Sequence, residues 1–123
     1  MSRSILVIDD ETTTLKMTKL ALEKLSYRVA IFSKPREALE YFREEHELID
    51  LVVTDKNMPK MGAEEVIIQF KEVSGETPIL VLTGFTDTGE DQALVNLGAT
   101  KVLMKPLSMR ELDDEIQLVL KEG

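Results

Sequence analysis

Short apolar segments alternate along the chain with longer segments whose apolar residues recur three or four positions apart. The short segments are rich in Val, Ile and Leu and are not half polar, so each predicts a buried strand. The predicted strands cover residues 4–8, 28–32, 51–54, 78–82 and 100–104. The helical spacing between them predicts five amphipathic helices, which begin near residues 11, 35, 61, 88 and 108.

Local signals define three of the helix ends. Ser33 and Pro35 open the second helix, because serine can cap free backbone N–H groups and proline is tolerated in the first turn. Gly98 is placed to end the fourth helix. Ser108 and Glu111 have the spacing of a capping box, which predicts the start of the fifth helix.

The alternation of strands and helices predicts parallel strands joined by right-handed crossovers. Because the strands are apolar on both faces, helices are expected on both faces of the sheet. The sequence therefore predicts one α/β domain over residues 1–123, built on a doubly wound, five-stranded parallel sheet. In such sheets ligands bind beyond the carboxyl ends of the strands, which is where candidate chemistry should lie.

Reactive polar side chains follow four of the five predicted strands: Asp9 and Asp10, Asp55, Thr83, and Lys105. A single polar residue at a strand end is commonly explained by turning of the chain or by helix capping. Three carboxylates at one edge are harder to explain in that way, because two unit charges about 4 Å apart repel by about 4 kcal/mol at an effective dielectric near 20. A cation or a bound proton removes this cost, and hard oxygen ligands favour Mg²⁺ or Mn²⁺.

A carboxylate beside such a cation has a defined use, because it can attack phosphorus and form an aspartyl phosphate. The metal neutralises charge on the oxygens of the transferred group. The ammonium group of Lys105 and the hydroxyl of Thr83 can bind further oxygens of a phosphoryl group on Asp55. The sequence thus predicts a phosphoacceptor site.

Length and charge restrict the class of protein. The chain has 123 residues and a formal net charge of −8, which disfavours direct binding to nucleic-acid phosphates. No apolar run approaches the roughly 18 residues of a membrane span, and the early apolar run is too short for a secretory signal, so we expect a cytoplasmic location without membrane contact. The absence of cysteine excludes disulfides and thiolate metal sites. The single histidine, His46, stands among glutamates and predicts a surface helix position.

A family resemblance rests on four segments: ILVIDDE at 5–11, VVTDKNMP at 52–59, ILVLTG at 79–84 and VLMKPL at 102–107. Each segment alone is weak, but their order and spacing together are specific. Over essentially its whole length the chain resembles the response-regulator receiver domains of two-component signalling. The resemblance implies a flavodoxin-like strand order, 2-1-3-4-5, which alternation alone leaves open.

The resemblance also implies a role for each matching residue. Asp55 would accept the phosphoryl group, Lys105 would contact it, and Thr83 would close onto it. Asp9, Asp10, Asp55 and the backbone carbonyl of Asn57 would hold Mg²⁺. A cis peptide is implied between Lys105 and Pro106.

A phosphohistidine on a sensor histidine kinase or histidine phosphotransfer domain would be the donor, and the downstream partner would be a protein that the sequence does not identify. The chain would then be no enzyme in the usual sense, since it assists only its own aspartyl phosphorylation and dephosphorylation.

Two departures from the family pattern change the expected switch. Val102 stands three residues before Lys105, where receivers often carry Tyr or Phe whose inward swing completes the switch. We hypothesise that Phe85 shields the phosphoryl group or takes over part of that role, with simple loop packing as the alternative. Gly62-Ala63 stands where the family commonly has an acidic or polar residue and then glycine, so the loop after Pro59 is expected to bend differently.

Rival functions on the same fold are weaker. A pseudo-receiver would act as a constitutive interaction module, which does not need repelling carboxylates. An aspartyl-nucleophile phosphatase usually has a second Asp two residues after the nucleophile, where this chain has Asn57. A flavin or dinucleotide site would need a G-x-G-x-x-G after the first strand. The sequence is compatible with a single-domain regulator and with the receiver of a larger regulator or hybrid kinase.

Overall fold

The structure, a computed structural model, describes residues 3–84 and 87–122. Its strands are β1 (Ser4–Ile8), β2 (Arg28–Phe32), β3 (Leu51–Asp55), β4 (Ile79–Thr83) and β5 (Lys101–Met104). Its helices are α1 (Thr12–Lys24), α2 (Pro35–Glu45), α3 (Ala63–Val73), α4 (Thr88–Leu97) and α5 (Met109–Glu122), with a short 3₁₀ turn (His46–Leu48) after α2. The predicted α/β fold class is confirmed, and each predicted strand lies within one residue of its observed bounds.

The five strands form one parallel sheet in the order β2-β1-β3-β4-β5, which confirms the order implied by the resemblance. In this register Ile8 of β1 lies beside both Phe32 and Thr54, and Thr83 of β4 lies beside Met104. The carboxyl ends of β1, β3, β4 and β5 therefore meet at one edge of the sheet, so the residues that follow them are neighbours in space.

The sheet separates two apolar clusters. On one face, α1 and α5 bury a set that includes Leu15, Leu22, Leu112 and Ile116. On the other face, α2 and α3 bury Ala38, Leu39, Phe42, Val66, Ile67 and Phe70, and α4 adds Leu94. The rings of Phe42 and Phe70 stack with centroids 4.7 Å apart, so α2 and α3 contact each other through an aromatic pair inside the second cluster. These clusters fix the strand ends that carry the polar residues.

Two of the predicted helix signals are confirmed and one is wrong. Ser108 and Glu111 form the reciprocal capping box, with N–H to side-chain oxygen distances of 3.0 and 3.1 Å. Gly98 follows the last residue of α4 with φ of 130°, a conformation that favours glycine. Pro35 is the first residue of α2, but the helix is preceded by Lys34 and has no side-chain cap, so the predicted cap by Ser33 is wrong.

Two further expectations need correction. Helix α3 begins at Ala63 and not near Met61, because the chain first turns through Lys60, whose φ is 69°. Met61 is buried ahead of the helix, where its N–H donates to the Pro59 carbonyl over 2.8 Å. In α1 the buried face is narrower than the apolar spacing of its sequence suggests, since Leu15 and Leu22 are buried while Met17, Leu20 and the following Leu25 are exposed. None of the described helices combines the length and apolarity that a membrane crossing requires.

Candidate functional site

Three carboxylates meet where β1 and β3 end. Oxygens of Asp9, Asp10 and Asp55 lie within 4.8 Å of one another. Across residues 3–84 and 87–122, this is the one group of three or more acidic or histidine side chains close enough to share a cation. The convergence follows from the sheet, because β1 and β3 are adjacent parallel strands that end side by side.

The three carboxylates differ in burial. Asp9 and Asp55 are buried, whereas Asp10 is exposed. Oδ1 of Asp9 accepts a hydrogen bond from the backbone N–H of Glu11 over 2.9 Å, which fixes this side chain at the entry to α1. Asp55 therefore lies at the bottom of the group, and Asp10 lies at its solvent-exposed rim.

Lys105 makes the closest charged contact with Asp55. Its Nζ lies 2.7 Å from Oδ1 of Asp55, close enough for an ion pair. Among the described residues, however, this buried oxygen has no partner directed for a hydrogen bond. At this short distance the ammonium group of Lys105 can still direct one of its three rotatable N–H groups at Oδ1 of Asp55. Lys105 follows β5, and its backbone N–H donates to the Thr83 carbonyl over 2.7 Å, which ties the ends of β4 and β5 together.

Thr83 is the last residue of β4 and is buried. β4 is hydrogen-bonded to β3, so Thr83 belongs to the same strand edge as Asp55. The structure thus brings Asp9, Asp10, Asp55, Thr83 and Lys105 to one edge of the sheet. Asn57 lies in the exposed loop directly after β3. The roles that the sequence predicts for these residues stay predictions.

Electrostatics set Asp55 apart. Burial is the largest effect on this carboxyl, and it acts with hydrogen bonding to Asp9 and the charge of Asp9 to raise the pKa of Asp55 from an ordinary 3.8 to about 7. Lys105 acts in the opposite direction but does not cancel these effects. A cation bound beside Asp55 and Asp9 would offset both the burial of the charge and the repulsion between the two carboxylates, so these residues are suited to bind one.

A cleft of about 530 Å³ opens beside the carboxylates, between the start of α1 and the segment that leads into α5. Asp9, Asp55 and Lys105 line its floor, and Thr18 and Met109 lie on its walls. Asp9, Asp55 and Lys105 therefore border a space that a small anionic group could enter. The oxygen-rich set of Asp9, Asp10 and Asp55 fits a hard divalent cation.

The structure adds one residue that sequence reasoning missed. The side chain of Lys56, directly after Asp55, reaches Glu90 and Asp91 in the first turn of α4. A cation beside the predicted phosphoacceptor was a visible signal, but its acidic partners lie 34 and 35 residues away along the chain and no local pattern joins them.

The other sequence expectations have mixed outcomes. The peptide between Lys105 and Pro106 is cis, as the resemblance implied. Val102 is half-buried against the cluster that α2, α3 and α4 share. His46 is half-buried in the 3₁₀ turn, with its ring 6.0 Å from that of Phe42. Phe85 lies outside the described residues, so its proposed shielding role stays a prediction, as does the different bend at Gly62.

The arrangement defines a class of protein: a parallel α/β sheet with an acidic trio and a lysine at its carboxyl edge. Residues 5–117 match the response regulator receiver domain family, and the chain belongs to that family.

Individual relatives agree with this assignment. The chain is 33% identical to the alkaline phosphatase synthesis transcriptional regulatory protein PhoP of Bacillus subtilis, over 100% of this chain and 50% of that protein. It is 35% identical to the probable transcriptional regulator ycf27 of Porphyridium aerugineum, over 95% of this chain and 48% of that protein. The chain thus spans about half the length of these two curated relatives.

Solved structures show the same fold. A response regulator receiver domain protein from Clostridium thermocellum aligns with a TM-score of 0.92 at 32% identity, over 98% of this chain and 95% of that chain. The chemotaxis protein CheY4 of Vibrio cholerae aligns with a TM-score of 0.90 at 29% identity, over 97% of this chain and 99% of that chain.

Proposed function

We propose that this receiver domain, residues 1–123, accepts a phosphoryl group on Asp55 and changes its interaction surface in response. The observation that supports this most directly is the position of Asp55, whose buried carboxylate lies between Asp9 and the ammonium group of Lys105. A nucleophile in this position can be approached from the adjoining cleft.

The donor in this proposal is a phosphohistidine of a sensor histidine kinase or histidine phosphotransfer domain. An oxygen of Asp55 forms the new bond to phosphorus, the bond from phosphorus to the imidazole nitrogen breaks, and the electron pair remains on the imidazole. Lys105 binds one oxygen of the transferred group as a point charge, and Thr83 donates to another. Lys105 and Thr83 both lie at the edge of the sheet where β3 ends with Asp55.

Asp9, Asp10, Asp55 and the backbone carbonyl of Asn57 would hold Mg²⁺ or Mn²⁺. A divalent cation there supplies positive charge that offsets the negative charge of the phosphoryl oxygens. Without a cation the carboxylates would repel an approaching phosphoryl group, so in this proposal phosphoryl transfer requires the bound cation.

The switch in this proposal begins at Thr83. When its hydroxyl moves toward the new phosphoryl oxygens, it pulls the segment that begins at Gly84 and leads to α4. The interaction surface then lies on α4, β5 and α5, and the downstream partner is a protein.

We propose that this acidic domain acts in the cytoplasm and does not bind nucleic acid itself, although relatives of twice its length are named as transcriptional regulators.

Incubation with acetyl phosphate and Mg²⁺, followed by intact-mass measurement, tests the proposal. The wild-type protein is expected to gain one phosphoryl mass, whereas Asp55→Asn gains none. Asp50→Asn, at the opposite end of the same strand, is the matched control and should be phosphorylated like the wild type. An Asp55→Asn variant that gained the mass as well as wild type would refute the assignment.

The mass measurement, together with thermal unfolding with and without Mg²⁺, distinguishes the proposed receiver from a pseudo-receiver. A pseudo-receiver would take up no phosphoryl group, and Mg²⁺ would not change its thermal stability. A receiver with a working site would be stabilised by Mg²⁺ in the wild type and much less in Asp55→Asn.

A further inference from the structure

Lys56 connects the strand of the proposed phosphoacceptor to the first turn of α4. Its Nζ lies 3.3 Å from Oε2 of Glu90 and 3.5 Å from Oδ1 of Asp91. The side chain of Lys56 is only 11% exposed, and that of Asp91 is 19% exposed. The stem of Lys56 is therefore mostly covered, while its ammonium group pairs with a carboxylate, Glu90, that is 60% exposed, so the contact lies at the solvent boundary.

The backbone of Lys56 is fixed on both sides. Its N–H donates to the Leu82 carbonyl of β4 over 2.8 Å, and its carbonyl accepts from the N–H of Ala63 over 3.1 Å, at the start of α3. Lys56 is therefore held by the sheet and by α3, while its side chain holds α4. Any displacement of α4 relative to Asp55 must move or break this contact.

Helix α4 has few other attachments. Among its residues only Leu94 is buried, whereas α3 buries Ala63, Val66, Ile67 and Phe70. A helix with so little apolar burial belongs to the least stable part of a fold, so a single polar contact is a large share of what positions it. The two distances at Lys56 are long for charged hydrogen bonds, and Glu90 is mostly exposed, so the contact can break at small cost.

We propose that Lys56 is a positioning residue that holds the first turn of α4 against the phosphoacceptor strand in the unphosphorylated protein and releases it on phosphorylation. The second half rests on the proposed function, in which Thr83 moves toward the phosphoryl group. Thr83 ends β4 and α4 begins five residues later at Thr88, so the turn that carries Glu90 and Asp91 is the first helical turn after Thr83. An interaction present in only one of two states biases the equilibrium between them.

Amide hydrogen exchange of the unphosphorylated protein tests the first half without any phosphoryl transfer. Lys56→Met keeps the apolar stem and removes the charge, and we expect it to speed exchange of the α4 amides about fivefold, the effect of a contact of this strength. Lys56→Arg should restore the wild-type rate to within about twofold, since it keeps the charge. High salt should speed exchange in the wild type but hardly in Lys56→Met.

Lys101→Met is the matched control, because Lys101 forms a 2.8 Å ion pair with Glu115 on α5 and not with α4. It should leave exchange in the first turn of α4 unchanged. Unchanged α4 exchange in Lys56→Met would overturn the positioning role. Lys56→Arg exchange as fast as that of Lys56→Met would do the same, since charge would then not matter.

The same measurement after phosphorylation with acetyl phosphate tests the release. We expect the difference between wild type and Lys56→Met in α4 to shrink to less than about twofold, because the contact is already broken. A difference that stays fivefold would make Lys56 a permanent support and overturn the release. If no phosphoryl mass appears at all, the proposed function fails, while the exchange of the unphosphorylated proteins still decides the role of Lys56.

Discussion

Strand β3 has an aspartate at each end, and the two aspartates are in opposite situations. Asp50, just before the strand, accepts from the backbone N–H of Ser4 over 2.8 Å and lies 3.7 Å from the guanidinium of Arg3. Its own backbone N–H donates to the Ser4 carbonyl. Asp55, at the other end, is buried beside the like-charged Asp9, and its Oδ1 lies 2.7 Å from Nζ of Lys105.

Asp50 is a carboxylate that stabilises the fold through its partners, whereas Asp55 is a carboxylate whose charge is opposed by its surroundings. Asp50 stays partly in solvent, where it stabilises the start of β1. Asp55 is placed where burial and the charge of Asp9 make its own charge costly, which is the environment typical of functional carboxylates. The carboxylate at the amino edge of the sheet is therefore paired with neighbouring groups, and the carboxylate at the carboxyl edge belongs to the acidic group in which we propose the chemistry.

The largest expected effect is the pH dependence that Asp55 imposes on the metal-free protein. The pKa of Asp55 is raised by burial, and then by Asp9, to about 7 in the folded state, so this carboxyl keeps its proton on folding. A raised folded-state pKa adds stability that is full below the unfolded value of 3.8 and is lost as the pH rises through about 7. At about 1.4 kcal/mol per pKa unit, the full shift from 3.8 to about 7 corresponds to about 4 kcal/mol, and partial solvent screening of this carboxyl reduces the expected loss to on the order of 2–3 kcal/mol.

Urea unfolding of wild type and Asp55→Asn in EDTA, from pH 4 to 8, measures this loss. The variant should be about as stable as wild type near pH 4 and more stable above pH 7. Mg²⁺ at pH 8 should restore most of the stability of the wild type. A difference between the two proteins that is the same at every pH would show that the Asp55 charge does not act in this way.

The second effect, at the amino edge, is smaller and of opposite sign. Asp50→Ala removes the acceptor of the Ser4 N–H and should lower the free energy of unfolding by about 1–2 kcal/mol. Phosphoryl uptake and the stabilisation by Mg²⁺ should be unchanged, because Asp50 lies a full strand length from Asp55. If a folded Asp50→Ala protein lost phosphoryl uptake or the stabilisation by Mg²⁺, Asp50 would also contribute to the site at the carboxyl edge, and the prediction would be wrong.

The carboxyl edge could be predicted from the sequence to a large extent. Asp9, Asp10, Asp55, Thr83 and Lys105 stand at the last residue of a strand or within two residues after it, and parallel topology alone brings these strand ends to one edge. The order of the strands required the family resemblance, because alternation is compatible with several orders. The apolar pattern also defined both faces of the core, since α2 and α3 bury the side chains that their spacing indicates.

The remainder depended on contacts between distant residues. Lys56 meets Glu90 and Asp91 because β3 and β4 are adjacent strands, so the residue after β3 lies close to the start of α4. Met61 reads as helical from its apolar side chain, but the left-handed turn at Lys60 delays α3 to Ala63. Leu25 continues the helical spacing of α1 but lies just past its last residue, Lys24, where it is exposed.

The smallest expected effect concerns Arg3, the cation of the amino edge. Its guanidinium is 3.7 Å from Asp50, and its side chain is 55% exposed, so solvent screens the pair. Arg3→Met should change the free energy of unfolding by about 0.5 kcal/mol or less, since the backbone of Ser4 still satisfies Asp50. Urea unfolding at low and high salt measures this change, with Asp50→Ala beside it for scale. A loss as large as that of Asp50→Ala would mean that charge pairing, and not the backbone hydrogen bond, holds the amino edge, and the two ends of β3 would then differ less than their geometry indicates.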